Sequence, residues 1–503
     1  MYYQSTFSQS YHPQPSVLYP GPVSLRRLLD IFDHCSDFES RAIDFGLEGR
    51  VTVHLCWLDG LVAAGAVSEQ VLQPLTQSLR AGAVSDEAEA MSRICSGGVF
   101  RCSLHRRSDL DALVSDLCHG HCALIFDGCA AALSFELRSE AVRGVDQPNL
   151  EKALKGAKDS FVETLRVNTA LVRSRIATPD LKLAEMKLGR RSATRLAMLF
   201  VEGIADPATV AELAQRLASV DVDALLATGT LEEHIVDAPR SPFPQLLHTE
   251  RPDRFADYLL EGRIGLLIDG VPVGLVLPVT LAAYMKVAGD SSMHPLPATM
   301  LSLLRYAALL LSTFLPAFYV AVALYHQEMI PTRLLLSIIE SERQVPFSTA
   351  LEVLSMLGAF SLLQEAGLRM PDPVGDTVSI IGALIVGQAA VEAQVVSPIA
   401  IIVVAISGIC CYTLPSQDLA YALRLWRLAL LLGAIAAGLF GVGLVSCLLL
   451  LHLAELDSFG RSYTAPLSEA RPGALRRILL RRPGYRDKFR DPLLRTPDRR
   501  REK

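Results

Sequence analysis

At 503 residues the chain is too long for one core, because single cores stop growing at roughly 250–300 residues, so more than one unit is expected. Half of the residues are hydrophobic and the net charge is −5, yet charge is dense through 1–305, nearly vanishes in long blocks over 306–453, and returns as an arginine-rich tail. The opening residues lack the basic and apolar regions of a signal peptide, so the N-terminal part is expected to stay in the cytosol unless the first membrane helix exports it, and the ten cysteines, with no even disulfide framework, agree with a reducing compartment.

In chain order, residues 1–34 read as a disordered segment, 35–145 as a first α/β subdomain, 146–185 as a helical connector and 186–290 as a second α/β subdomain. Four apolar runs that close on an acidic residue and a glycine carry this division: Asp59-Gly60, Asp127-Gly128, Glu202-Gly203 and Asp269-Gly270. Each reads as a buried strand meeting a tight turn, where glycine accepts positive φ. The first and third runs lead into helix-like stretches, 63–79 and 207–217, whereas the second and fourth lead into further strand-like residues and read as hairpins. Strand-helix followed by hairpin, twice, predicts two related subdomains from an internal duplication.

Residues 298–456 read as an α-helical multi-pass transmembrane region of four to five spans, and 457–503 as a basic cytoplasmic tail facing anionic lipid. The run 306–325 is twenty residues without a charge, bent by Pro316. The run 347–364 is weaker because it carries Glu352; 377–417 holds Glu392 and has Pro398 near its middle, suiting two short segments that meet at a break. The run 428–454 is uncharged and long enough to span with tilt.

Enzyme motifs for phosphate loops, dinucleotides and HExxH zinc are missing, so no catalytic, cofactor or metal site is expected, and no nucleic-acid partner. Cys118-His119-Gly120-His121-Cys122 packs four soft ligands too closely to wrap one tetrahedral ion, and reads as a lead-in to the next strand. Charge inside hydrocarbon is costly, so Glu392 stands out, with Gln388 one helical turn before it on the same face. The pair reads either as the lining of an ion path or as groups at the membrane surface.

Longer strings add a resemblance. Residues 315–321 (LPAFYVA), 326–331 (HQEMIP), 382–392 (GALIVGQAAVE) and Ser458-Phe459-Gly460 with Tyr463 resemble the A subunit of GerA-type spore germinant receptors, as do 163–168 (ETLRVN), 241–245 (SPFPQ) and 249–253 (TERPD) in the soluble part. The resemblance runs from about Cys35 to Leu467; residues 155–161 depart from it by lacking the family's proline. It implies an inner-membrane protein of the endospore with its N-terminal region cytosolic, working with B and C subunits and forming homo-oligomers that gate an ion path in response to a nutrient. A stage V A-type paralogue assisting ion release and a solute transporter component are the alternatives.

Overall fold

The computed structural model describes residues 18–45, 51–75, 86–96, 103–138, 148, 151, 156–369, 388–468, 478–481, 483 and 488–501. A short helix, α1 (Leu25–Ile31), precedes β1 (Phe38–Phe45) and β2 (Val51–Leu58). Next come α2 (Ala64–Ala66, continuing as a π-helix over Val67–Leu72), α3 (Glu87–Cys95), β3 (Leu104–Arg107), α4 (Leu110–Cys118), β4 (His121–Phe126) and β5 (Ala131–Glu136). These strands form an antiparallel sheet in the order β1-β2-β4-β5-β3. Strand β4 is apolar on both faces because both are covered. Val53, Leu55, Leu124 and Phe126 pack with α2 and α3 through Val71 and Ile94, while Cys56, Leu58 and Ile125 pack with α1 and α4 through Leu28 and Leu113.

The second unit repeats this plan. Helix α5 (Leu165–Arg175) precedes β6 (Leu181–Leu188) and β7 (Thr194–Val201), followed by α6 (Pro207–Ser219), α7 (Thr228–Ile235), β8 (Leu247–Thr249), α8 (Pro252–Glu261), β9 (Ile264–Ile268) and β10 (Gly274–Leu277). The strand order is β6-β7-β9-β10-β8, the first sheet's order position for position, again antiparallel. Asp59 and Glu202 each follow the second strand of their sheet, and Asp127 and Asp269 each follow the fourth. Gly60, Gly203 and Gly270 take positive φ as expected; in the remaining turn Ala130, at φ +47°, takes it in place of Gly128.

The paired aspartates share a further contact. Asp127 accepts the backbone N–H of Leu25 at 3.1 Å, and Asp269 that of Leu165 at 3.0 Å, the first residues of α1 and α5. A carboxylate from the fourth-strand turn thus meets the N–H groups and positive dipole end of the helix that opens each unit. The motif found as a turn is also a cap supplied from another part of the chain.

Several boundaries differ from those expected. Segment 1–34 contains α1, whose Leu28 is fully buried, because its apolar stripe has the first sheet to cover; residues 1–17 lie outside the described residues. The connector 146–185 holds α5, but its last residues already belong to β6. Much of the described tail packs on the second unit: Phe459 and Tyr463 are buried in its core, Arg461 donates to Asp206 at 2.6 Å, and Arg490 donates to the carbonyl of Leu260 at 2.9 Å, while Arg481 donates to the carbonyl of Ser291. Arginines expected to face anionic lipid here find carboxylates and carbonyls.

The two units are stitched by a buried ion pair. Arg173 of α5, 1% exposed, donates through Nε and Nη2 to both carboxylate oxygens of Asp37 at 3.0 and 2.8 Å and through Nη1 to the carbonyl of Leu181 at 2.7 Å. Beside it the N–H of Ser36 donates to the carbonyl of Leu183 at 2.8 Å. Breaking a buried pair on one side strands a charge, at a cost of about 3–5 kcal/mol. Arg173→Met is therefore expected to lower the thermal unfolding temperature of the full chain in detergent markedly, whereas Arg190→Met, at an exposed pair, leaves it nearly unchanged.

Candidate functional site

Beyond the second sheet stand α9 (Pro295–Tyr325), α10 (Thr332–Glu342), α11 (Thr349–Arg369), α12 (Pro398–Tyr412) and α13 (Gln417–Glu455). Helix α9, with 31 residues, has the length and apolar composition needed to cross a membrane, and the 39 residues of α13 are as apolar. Helix α9 runs through Pro316, which sits inside it without interrupting the helical assignment. A proline has no N–H, so the carbonyl four residues earlier loses its partner. That carbonyl belongs to Ser312, and the Ser407 hydroxyl of α12 donates to it at 2.8 Å. Ser407 Oγ in turn accepts from Nη1 of Arg427 on α13 at 3.2 Å. Pro316, expected to bend a helix, thus opens a docking point between three.

The run 428–454 does not form the single span expected of it. Ala437 (φ −144°, ψ 18°) and Gly438 (φ 61°, ψ −139°) leave helical geometry, the latter in a region open only to glycine. The chain reverses there. A Cβ on Gly433 would lie 2.9 Å from the carbonyl oxygen of Gly441, and the Trp426 and His452 rings are 5.8 Å apart, where a straight helix would hold them about 39 Å apart. Gly438 and Gly441 both serve this reversal, the first by its backbone conformation and the second by its close approach to Gly433. At its tip the Tyr325 hydroxyl donates to the carbonyl of Ile435 at 2.7 Å. Both feet rest on the second unit: Ser241 and His452 Nε2 are 2.9 Å apart, and Asp418 meets His248.

Gln388 and Glu392 share one helical face as expected, with Gln388 Nε2 donating to Glu392 Oε1 at 3.0 Å, and both are exposed. The chain breaks just before Pro398, as expected, with Gln394 at φ +55°; the earlier part of that run, 370–387, lies outside the described residues. Glu352, the charge that weakened the 347–364 run, is 1% exposed and accepts the N–H of Ser397 at 2.8 Å, at the start of α12. Its carboxylate therefore faces the positive end of that helix. The side chains of Cys118 and Cys122 are buried on opposite faces of the first sheet, and His121 Nδ1 lies 3.1 Å from the Ser134 hydroxyl. The cluster's soft ligands diverge.

The junction between sheet and bundle was not legible in sequence. His248 of β8 holds Glu232 of α7 through Nε2 at 2.7 Å and Asp418 in the first turn of α13 through Nδ1 at 3.1 Å. Donating to two carboxylates requires both ring nitrogens protonated. Burial pushes the imidazole down, but the bonds to Asp418 and Glu232 and their charges outweigh it and raise its pKa to about 10. Beside it opens a cavity of about 1000 Å³ whose wall includes Glu232, His248, Gln364, Tyr412, Asp418 and Arg424.

The family model described as Bacillus/Clostridium GerA spore germination protein matches residues 26–492. The chain belongs to the GerA spore germination family. Spore germination protein B1 of Bacillus subtilis (strain 168) is 36% identical over 426 residues, covering 85% of this chain and 87% of that protein. Stage V sporulation protein AF of the same organism is 30% identical over 398 residues, covering 79% and 80%. The crystal structure of the N-terminal domain of the A subunit of the Bacillus megaterium spore germinant receptor GerK3 aligns with 29% identity and a TM-score of 0.41 over 52% of this chain and 97% of that one. The GerA match begins before Cys35 and ends beyond Leu467, the limits of the resemblance read from sequence strings.

Two outcomes are expected. Spin labels replacing Trp426 and His452 should report a separation far below the roughly 39 Å of a straight helix, and Gly438→Val should lengthen it. His248 has a folded pKa raised above its unfolded value of about 6.5, so its contribution is full below pH 6.5 and lost as pH rises through about 10. Thermal unfolding of the wild-type chain should therefore weaken from pH 7 to 10 more steeply than that of His248→Gln.

Proposed function

We propose that this GerA-family chain is the A-type membrane subunit of a spore germinant receptor in the inner membrane of the endospore, with its two-sheet region in the cytosol. It assembles as a homo-oligomer with B and C subunits and converts nutrient sensing into ion release. The observation that carries the reading is the Gln388–Glu392 pair, exposed and hydrogen-bonded on one helical turn of an apolar region. In an assembly about an axis, the least costly place for an exposed carboxylate is a hydrated lumen, and rings of carboxylates favour cations. His248 and the paired feet of α13 give motion in the second unit a rigid route into the bundle.

The 30% identity with stage V sporulation protein AF favours a second reading, a stage V-type paralogue that assists ion release without nutrient reception. Adjacent B- and C-subunit genes support the receptor, and a stage V operon supports the paralogue. Potassium release from spores tests the ion path. With protein matched by immunoblot, Glu392→Gln should slow release on nutrient exposure, and Glu392→Lys should slow it further by reversing the field. Wild-type kinetics in both variants would remove Glu392 from the path.

A further inference from the structure

The junction cavity is negative on balance. Five carboxylates line it, those of Glu151, Glu232, Glu233, Glu250 and Asp418. Three cationic side chains stand against them: Arg254, Arg424 and His248, the last charged because it holds a carboxylate on each ring nitrogen. Two negative charges are left over. Part of the excess has a definite place, since one imidazolium neutralises one of Glu232 and Asp418, not both. His248 takes Glu232 Oε1 and Asp418 Oδ2, and the other oxygen of each carboxylate accepts no hydrogen bond among the described residues. Glu233, next in the chain, is exposed and makes no ion pair among the described residues.

A second, independent observation comes from the bundle side of the same cavity. Gln364 of α11 lines it, is only 8% exposed, and its side-chain amide makes no hydrogen bond among the described residues. A buried amide without a partner is costly, and its carbonyl oxygen is a free acceptor. The wall also has apolar surface, from Phe243, Leu414 and Tyr412, and the Arg424 guanidinium lies over the Tyr421 ring with its carbon 5.1 Å from the ring centre. A space of about 1000 Å³ suits a small molecule rather than a bare ion. Among the described residues no three His, Cys, Asp or Glu side chains stand together to hold a metal.

We propose that the junction cavity binds a small, soluble organic ammonium ion, with Glu232, Glu233 and Asp418 supplying the charge and the Gln364 carbonyl a neutral acceptor. An ammonium group has N–H donors and no acceptor, which matches a wall whose free groups are carboxylate oxygens and an amide. Its bonds to carboxylates are charge-assisted and about twice as strong as neutral ones. The hydrocarbon part of the ligand lies against Phe243, Leu414 and Tyr412. Asp418 stands in the first turn of α13, Gln364 on α11 and Glu232 on α7, so an occupied cavity ties two bundle helices to the second unit. The site stands apart from the ion path above, since it uses neither Gln388 nor Glu392.

The test is calorimetric titration of the full-length chain in detergent, near neutral pH and at fixed ionic strength, with benzylammonium chloride and with benzyl alcohol, which has the same ring and no charge. Benzylammonium should bind at least about tenfold more tightly than the alcohol, the difference one charge-assisted hydrogen bond makes. Asp418→Asn keeps an acceptor for His248 while removing the charge, and should weaken benzylammonium by about the same factor. Should that variant not fold, Glu233→Gln, at an exposed position, and Gln364→Leu, which removes no charge, carry the same comparison. Glu340→Gln removes an exposed carboxylate of α10 outside the cavity and should leave the affinity unchanged. The proposal is overturned if benzylammonium binds no more tightly than benzyl alcohol, if the folded site variants bind it like the wild type, or if Glu340→Gln loses affinity equally.

Discussion

Hydrocarbon offers no hydrogen-bonding partner, so wherever a membrane helix stops being a helix another part of the protein must supply one. Three side chains meet that requirement here. The Ser407 hydroxyl fills the carbonyl of Ser312 left open by Pro316, the Tyr325 hydroxyl fills that of Ile435 before the reversal, and the Glu352 carboxylate takes the N–H of Ser397 at the start of α12. Each bond joins two helices. The bundle is tied together at its interruptions, and the polar residues that weaken the hydropathy signal are the ones that do the tying.

The reversal at Ala437 and Gly438 determines how the bundle meets the second sheet. Because α13 returns, both of its ends reach the same unit, and Leu419, Leu423 and Leu449 share one core with Leu199, Leu267 and Phe255 of the sheet side. The buried Tyr463, just past α13, closes that core. A domain anchored through one flexible linker could turn without moving a membrane helix; one sharing a core and an ionic bridge at His248 cannot. The first unit meets the second through the buried Arg173–Asp37 pair, the Arg166–Asp59 ion pair, the bond of Lys182 to the carbonyl of Ile31 and the strand contact at Leu183, with Ala170 of α5 packed into its core.

The repeated sheets show how a motif can be read correctly and still incompletely. Asp127 and Asp269 were visible as turn residues because Asp-Gly after an apolar run is a local signal. Their bonds to Leu25 and Leu165 join residues 102 and 104 positions apart, and no local pattern carries such a contact. The same holds for α1, whose seven residues are too few to be stable alone and become a helix because the first sheet buries Leu28.

The sequence by itself determined β2, β4, β5, β7, β9 and β10, the acidic-glycine turns, the duplicated order and the apolar character of 306–325 and 428–454, since periodicity and run length act over a few residues, whereas β1, β3, β6 and β8 carried no such signal. It also carried the family, through long strings such as 315–321 and 382–392 that the match over 26–492 contains. Only the tertiary structure decided that α13 turns back, that Pro316 is a docking point, and that His248 bridges α7 and α13. Hydropathy is a sum over residues and is blind to direction: a straight span and a hairpin of the same composition give the same profile. Direction is set by one glycine's φ and ψ together with the side chain that caps the carbonyl beside it, and the cap comes from a helix 110 residues earlier in the chain.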